Sequence, residues 1–546
     1  MPAWLHALDR YFPIRYLVWL ACGIAFLVSA FVWVAFGRWG LPALAFGALV
    51  AVGVRDSVQR RHAVLRNYPV IGHLRFLLEY IRPEIRQYFF ESDNEQHPFS
   101  RQQRSVVYQR AKGDSDKRPF GTQLDVHAMG YEWINHSLQP TRIASHDFRV
   151  VIGEGRAQPY SASVFNISAM SFGALSANAI LALNGGAKRG GFAHDIGEGS
   201  ISAHHRVHGG DLIWEIGSGY FGCRNDDGSF CAERFEAGAR DPQVKMIELK
   251  LSQGAKPGHG GVLPGPKVTA EIASARGVPI RVDCISPARH GAFDTPLEML
   301  QFIERLRELS GGKPTGFKLC IGHPWEWLAI CKAMLQTGIT PDFIVVDGAE
   351  GGTGAAPLEF TDHVGTPLQE GLLLVHNTLT GLNLRSRIRI GAAGKVVSAF
   401  DIARAMALGA DWCNAARGFM FALGCIQAQH CHTGACPTGV TTQDPLRQRA
   451  LVVPDKIERV YRFHQNTLEA LKELVQAAAL EHPNQIRASH IVRRGDDRQV
   501  RLLANLLTFV QPGELLAAMR GETRWPHAVY ELYWPRAQAH SFAAAG

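Results

Sequence analysis

Residues 315–348 read TGFKLCIGHPWEWLAICKAMLQTGITPDFIVVDG. A β-like run (315–321) gives way to WEWLAICKAMLQTG (325–338), with apolar residues at helical spacing, and DFIVVDG (342–348) restores a strand pattern. Strand, helix and strand in this order form a crossover unit, the connection that parallel strands require. Outward from it the alternation continues. ISAMSF (167–172), PIRVDCI (279–285), RIRIGAAG (387–394) and DWCNAAR (411–417) read as strands, and TPLEMLQFIERLREL (295–309) and SAFDIARAMALG (398–409) as helices. Roughly 280 residues of such alternation approach the size of a (β/α)8 barrel. Glycine-rich or polar stretches follow the strands, where barrel enzymes build their sites, and no G-x-G-x-x-G fingerprint opens a βαβ unit. The expected fold class is therefore α/β, a TIM-like barrel over residues 151–450, with a doubly wound open sheet as the alternative. Residues 61–150 are polar and helix-prone and read as a linker or packing region; residues 451–546 begin with a helical pattern and read as a helical extension.

The 546 residues, 46% hydrophobic and 19% charged, can bury a large core and carry no mark of disorder. A net charge of +8 does not point to nucleic acid, because no run of five basic residues or aromatic-basic interleaving accompanies it. Much of the excess lies beside the N-terminal apolar stretches, as Arg10, Arg15, Arg38, Arg55, Arg60, Arg61 and Arg66. Residues 16–37 carry no charge, and at 1.5 Å per residue a helix of that length reaches about 33 Å, enough to cross a bilayer. Residues 39–54 reach about 24 Å, a short second crossing or a re-entrant segment. Arginines at both outer ends place those ends on the cytoplasmic side. The expectation for residues 1–60 is a transmembrane hairpin in the cell (inner) membrane, with a cytoplasmic catalytic body.

Cys425-x5-Cys431-x4-Cys436-Pro437 sets three thiols on one glycine-containing loop, while the other seven cysteines are scattered. Three soft ligands so close suit an iron-sulfur cluster, or zinc with His430 or His432 as fourth ligand. Gly391, Gly394 and the turn Ala415-Ala416-Arg417-Gly418 follow two late strands and precede helices, where barrels bind phosphate through backbone N–H groups.

The stretch ALGCIQAQHCHTGACPTGVTTQDP (422–445) resembles the cluster loop of the FMN-binding glutamate synthase family. LSQGAKPGHGGVLPGPKV (251–268), DGAEGGTGAAP (347–357) and LRSRIRIGAAGKV (384–396) are similar to that family's motifs in the same order, so the resemblance covers roughly 160–445. It implies a 3Fe-4S cluster on Cys425, Cys431 and Cys436. It implies FMN, backed by Ala169, Met170 and Ser171, with Lys318 near its pyrimidine edge. Asp347, Gly351, Gly352 and Gly354 would line its ribityl chain, and Gly391, Gly394, Ala416, Arg417 and Gly418 its phosphate. Lys250, Gln253, Lys256 and Arg276 would hold the two carboxylates of 2-oxoglutarate, with Glu198 beside the imine. The implied reaction passes hydride from FMN to that imine, giving L-glutamate.

Two rival readings stand beside it. An amino-acid or N-alkyl-amino-acid dehydrogenase would run the chemistry in the oxidative direction, toward a quinone or membrane carrier, and a membrane scaffold would not turn over. An electron-donor protein or a quinone is expected as partner, since no NAD(P) fingerprint is seen. The sequence departs from the family at Gly258-His259-Gly260, where glycine-glutamate-glycine is usual, and in the histidines His204, His205 and His208. Met1-Pro2-Ala3 and the hairpin stand where the family's large members carry an amidotransferase domain, and no glycine-repeat β-helix pattern follows residue 450. The chain is therefore not expected to release ammonia from glutamine.

Overall fold

Among the residues described by the computed structural model, 14–94, 98–496 and 499–546, eight parallel strands close into a barrel. In chain order they are β1 (Phe165–Ile167), β2 (His194–Asp195), β3 (Leu212–Ile216), β4 (Val244–Lys250), β5 (Thr315–Leu319), β6 (Phe343–Asp347), β7 (Arg389–Ala393) and β8 (Trp412–Ala415). Each pairs with its neighbour in sequence and β8 returns to β1, so the barrel is preferred to the open sheet. The unit read at 315–348 is β5, the helix Pro324–Thr337 and β6, with Phe317 opposite Ile344.

Two strand expectations need correction. ISAMSF gives only Ile167 to β1, because pairing with β8 ends at Ile167 opposite Ala415 and the chain then turns outward. PIRVDCI is not a barrel strand. Only Cys284–Ile285 pairs, with Val262–Leu263; Arg281 takes a left-handed φ of 60°, and Ile280, Val282 and Ile285 are exposed. The strands β2, β3 and β4 lie outside the runs read as strands.

Inward-facing side chains change character with height, as a period of two along each strand requires. Near the N-terminal mouth, Ile213, Met246, Phe343, Val345 and Trp412 pack with Val150, Ile152, Tyr160 and Ala162 of the hairpin Arg149–Ile152/Tyr160–Ser163, which plugs that end. Two residues further along, Glu215, Glu248 and Asp347 replace Ile213, Met246 and Val345. Gly316 makes room below Lys318: a Cβ there would lie 2.1 Å from Phe343 O.

Residues up to Asp93 form one compact unit and Asn94–Gly546 another. Arg10 lies outside the described residues. In the first unit, α1 (Leu17–Phe36) and α2 (Gly40–Val58) turn at Gly37, whose φ is 65°. Trp19 Nε1 donates to Val50 O at 3.2 Å, and Trp19 packs so close to Gly53 that a Cβ would approach it to 2.3 Å. Mean hydropathy is 2.4 for α1 and 1.5 for α2, and both helices are long and apolar enough to span a membrane. The second helix runs four residues past its expected end at Val54 and takes in Arg55 and Asp56. Asp56 is buried, accepts from the Val70 N–H at 3.0 Å and pairs with His73 Nε2 at 2.9 Å, which lets an acidic residue end this helix.

Around the barrel, α3 (Ala177–Gly190) starts at an N-cap Ser176, which accepts from the Ala179 N–H. It packs on α4 (Val453–Ala477) so tightly that a Cβ on Gly186 would lie 2.4 Å from Val460 Cγ1. His464 of α4 is buried against the ring of Phe192, its Nε2 3.0 Å from both Phe165 O and Ser163 Oγ. The extension after residue 450 is not helical throughout: Ile491–Arg494 pairs with Glu132–Ile134 and Val500–Leu502. Residues 94–150, part of the stretch read as a linker or packing region, belong to the same compact unit as the barrel.

Candidate functional site

The loops at the C-terminal ends of the strands converge on one pocket. Ala169, Met170 and Ser171 come from the loop after β1, Glu198 from that after β2, and Lys250, Gln253 and Lys256 from β4 and its loop. Asp347 ends β6 and Gly351, Gly352 and Gly354 follow it, Gly394 and Lys395 follow β7, and Ala416 and Arg417 follow β8. Lys318 and Arg276 complete the charged lining.

One wall is cationic. Lys250 Nζ lies 3.1 Å from Glu198 Oε2, with both side chains largely buried. Burial opposes ionisation of Glu198, but Lys250, Arg276 and Lys256 outweigh it and hold the carboxyl below its ordinary range. Burial lowers Lys256, against the pull of Glu198. Arg276 reaches across to the loop after β1, donating to Ser171 Oγ at 3.3 Å and Phe172 O at 3.1 Å. Three cations thus face one carboxylate, an excess suited to a dianionic ligand.

The floor has the opposite balance. Lys318 is 4% exposed and bonded to Glu215, with Glu248 Oε1 3.5 Å from its Nζ, so it is not the solvent-reaching strand-end lysine that its position allowed. Asp347 accepts the Gly254 N–H at 2.8 Å. At that crossing the loops after β4 and β6 touch through backbone, and a Cβ on Gly254 would fall 1.9 Å from Gly348 O.

Gly391 and Gly418 stand apart from the pocket lining. Gly391 lies in β7, where a Cβ would strike the Trp412 ring at 2.5 Å. Gly418 packs on the edge of Phe463. Lys395, unremarked in the sequence, takes φ 51° beside Gly394, a strained conformation of the kind that clusters at sites.

Cys431 lines the pocket, whereas Cys425 and Cys436 are buried behind it. Lys267 Nζ donates to Cys431 O at 2.7 Å, and Arg417 Nη1 lies 3.7 Å from Cys431 Sγ. Among the described residues the one His/Cys/Asp/Glu trio with ligand atoms within 4.8 Å of one another is Asp195, Glu215 and Glu248. The three thiols stand wider than that, and wider than the edge of about 3.8 Å that tetrahedral zinc requires. The histidines do not form a metal site either: His205 caps Ser202 through Nδ1 at 2.8 Å, while His204 faces Glu271 at 3.5 Å. His259 turns to Gly260 O and the ring of Phe360.

Sequence reasoning missed Glu215 and Lys267 in the lining, Asp195 and Glu248 behind it, and two aromatics from the stretch for which no site was expected. Phe99 lines the pocket, and the Tyr108 hydroxyl donates to Cys425 O at 2.6 Å. Strand-borne carboxylates amid apolar residues were the one signal available for the floor.

A closed barrel with such a pocket at its C-terminal mouth defines an enzyme of the (β/α)8 class. The model of the conserved region in glutamate synthase matches residues 135–481, most of the chain, and the chain belongs to the glutamate synthase family; it is a glutamate synthase-like oxidoreductase. It is 38% identical over 509 residues to the glutamate synthase large subunit-like protein YerD of Bacillus subtilis (strain 168), covering 86% of this chain and 97% of that protein. It is 35% identical over 330 residues to the archaeal glutamate synthase (NADPH) of Methanocaldococcus jannaschii, covering 60% of this chain and 61% of that one. The archaeal-type glutamate synthase (NADPH) of Thermotoga neapolitana is 33% identical over 329 residues, covering 60% and 62%. The chain thus spans about three fifths of these archaeal and archaeal-type relatives.

Proposed function

We propose that the chain is an FMN- and 3Fe-4S-dependent oxidoreductase that reductively aminates 2-oxoglutarate to L-glutamate. The observation that carries this reading is the meeting, in one pocket, of the cationic wall, the loops after β6, β7 and β8, and Cys431.

Family membership supports FMN, and the residues present fit it. Gly394, Lys395, Ala416 and Arg417 would hold the phosphate, Gly351, Gly352 and Gly354 the ribityl chain, and Ala169, Met170, Ser171 and Lys318 the ring. The two lining cations Lys395 and Arg417 match a phosphate dianion. When bound, FMN supplies hydride chemistry. Cys425, Cys431 and Cys436 would hold the cluster, and Lys267 and Arg417 offset its thiolate charge.

The chain's own residues orient the substrate. Lys250, Lys256 and Arg276 clamp the carboxylates, and Gln253 donates a neutral hydrogen bond. Glu198, kept ionised by its cations, polarises the imine nitrogen and does not rest as its acid. Lys256, whose ammonium is already weakened by burial, is the better proton donor.

The same reading places α1 and α2 across the inner membrane as a hairpin, with the barrel in the cytoplasm. Exposed apolar side chains such as Leu27 and Val34 and the arginines at 15, 55, 60, 61 and 66 support it. Electrons would come from an iron-sulfur protein or pass to and from a quinone.

The test is an anaerobic titration of the detergent-purified protein. After chemical reduction, the flavin should be reoxidised by 2-oxoglutarate with ammonium and not by either alone. Reduction by an amino acid with no reoxidation by the oxo acid would reverse the assigned direction, and zinc without flavin would reject the reading.

A further inference from the structure

Beneath the pocket the barrel holds more carboxylates than cations. Asp195 on β2, Glu215 on β3 and Glu248 on β4 are 1%, 2% and 0% exposed, and one oxygen of each lies within 4.8 Å of the others. Lys318 on β5 is the cation facing all three, and Asp347 on β6 faces it as well. Only Lys318, Glu215 and Asp347 of these reach the pocket lining, where Lys250 and Glu198 stand nearby; Asp195 and Glu248 lie behind. Carboxylates this close in a dry core cannot all ionise against one ammonium.

The hydrogen bonds show where a proton belongs. Asp195 Oδ1 accepts the Gly197 N–H at 3.0 Å. Among the described residues, neither oxygen of Glu248 receives a hydrogen bond, and Lys318 meets it at ion-pair distance. A proton shared between Asp195 and Glu248 satisfies both carboxyls. Burial and then the charge of Glu215 push Asp195 up to about 7, and burial and then Asp195 raise Glu248 well above the usual range.

We propose that Asp195 and Glu248 form a proton store behind Lys318, and that adding two electrons to the flavin draws a second proton into the barrel core, onto the Asp195 carboxylate. This rests on the flavin reading above. The reductant is a low-potential one-electron carrier, an iron-sulfur protein in the cell or dithionite in the cuvette. Two electrons and one solvent proton go to the flavin; a second solvent proton forms an O–H bond on Asp195. No other bond forms or breaks. Two electrons with one proton leave a negative charge beside Lys318, and a new negative charge raises the proton affinity of neighbouring carboxylates. Asp195 and Glu248 are positioning residues, acting on the flavin through Lys318.

The test uses the full-length FMN-loaded protein in detergent, with potentiometric titration of the flavin absorbance between about pH 7.5 and 9, above the value of about 7 for Asp195, so that its carboxylate is ionised before reduction. The slope of the midpoint potential against pH gives protons per two electrons. Two are expected in the wild type and one in Asp195→Asn and Glu248→Gln, whereas Asp195→Glu should restore two. Proton uptake followed with an indicator dye during anaerobic photoreduction gives the wild-type count without any substitution. One proton per two electrons in the wild type, or two in both amide variants, would overturn the proposal with the flavin reading intact. A preparation that binds no FMN would overturn both.

Discussion

The wall and the floor of the pocket are built from the same residue types in opposite proportion. On the wall, Lys250, Lys256 and Arg276 outnumber Glu198; on the floor, Asp195, Glu215, Glu248 and Asp347 outnumber Lys318. The wall's unmatched charge faces an opening and waits for a ligand of opposite sign. The floor's faces the core and must be neutralised from within, by Lys318 and by protons. Charge that serves binding is left over where solvent can attend to it; charge that serves the barrel itself is balanced before any ligand arrives.

Lys318→Met is the most severe way to break this contrast. It removes the floor's cation, and breaking a buried ion pair costs about 3–5 kcal/mol. Protons then partly replace it, so the loss should be greater at pH 8 than at pH 6, as thermal unfolding monitored by circular dichroism will show. Equal losses at the two pH values would mean that the carboxylates do not rely on Lys318.

On the wall, Lys250→Met should cost less stability than Lys318→Met, because Arg276 and Lys256 still face Glu198, while weakening 2-oxoglutarate binding by about 10- to 100-fold, the worth of a hydrogen bond to a charged group. Isothermal calorimetry on the oxidised protein reads this directly. A stability loss as large as that of Lys318→Met would erase the distinction between the two regions.

A milder test is Asp195→Asn. With its folded pKa near 7 and an unfolded one near 4, Asp195 contributes stability that is fully present below pH 4 and is lost as pH rises to 7. Buried His194 and His464, both lowered to about 3 with burial as the main cause, work in the opposite sense. Their contribution is present above pH 6.5 and is lost on acidification toward 3. In the wild type the single Asp195 limb offsets part of the histidine limb between pH 4 and 6.5. The amide variant should therefore lose stability more steeply on acidification, by at most about 1.4 kcal/mol per pH unit for one proton. Melting curves across this range would show unchanged slopes if Asp195 is ionised throughout.

The smallest effect is expected at His259→Glu, which restores the family's usual residue. His259 is outside the pocket lining, and its ring meets its neighbour's carbonyl and the edge of Phe360, so stability should move by less than about 0.5 kcal/mol. A large change in substrate affinity would extend the wall beyond the residues named here.

The wall was far more legible in the sequence than the floor. Lys250, Gln253 and Lys256 lie within seven residues of a glycine-punctuated turn, and the cysteines announce themselves by spacing. The barrel followed from β5, β6, β7 and β8, where apolar runs and helices alternate cleanly. By contrast, β2 is two residues long, β3 carries Glu215 inside an otherwise apolar segment, and β4 carries Glu248 between Lys245 and Lys250. A single acidic residue in a strand normally signals a solvent-facing position; only the closed topology turns it inward. PIRVDCI misled for the converse reason, since its alternation is real but its apolar side chains face outward. Phe99 and Tyr108 lie in a stretch without motifs and acquire meaning only when the chain brings Tyr108 to Cys425 and Phe99 to the pocket lining.

The contact between Gly254 and Gly348 gives the two halves of the pocket a common joint. The loop bearing Gln253 and Lys256 cannot shift there without moving the backbone that leads to Gly351 and Gly354, because no side chain stands between them to absorb the change. A shift of either loop at this joint therefore displaces the other. By thermodynamic linkage, any factor by which a ligand in one half changes the binding of a ligand in the other is returned in equal measure.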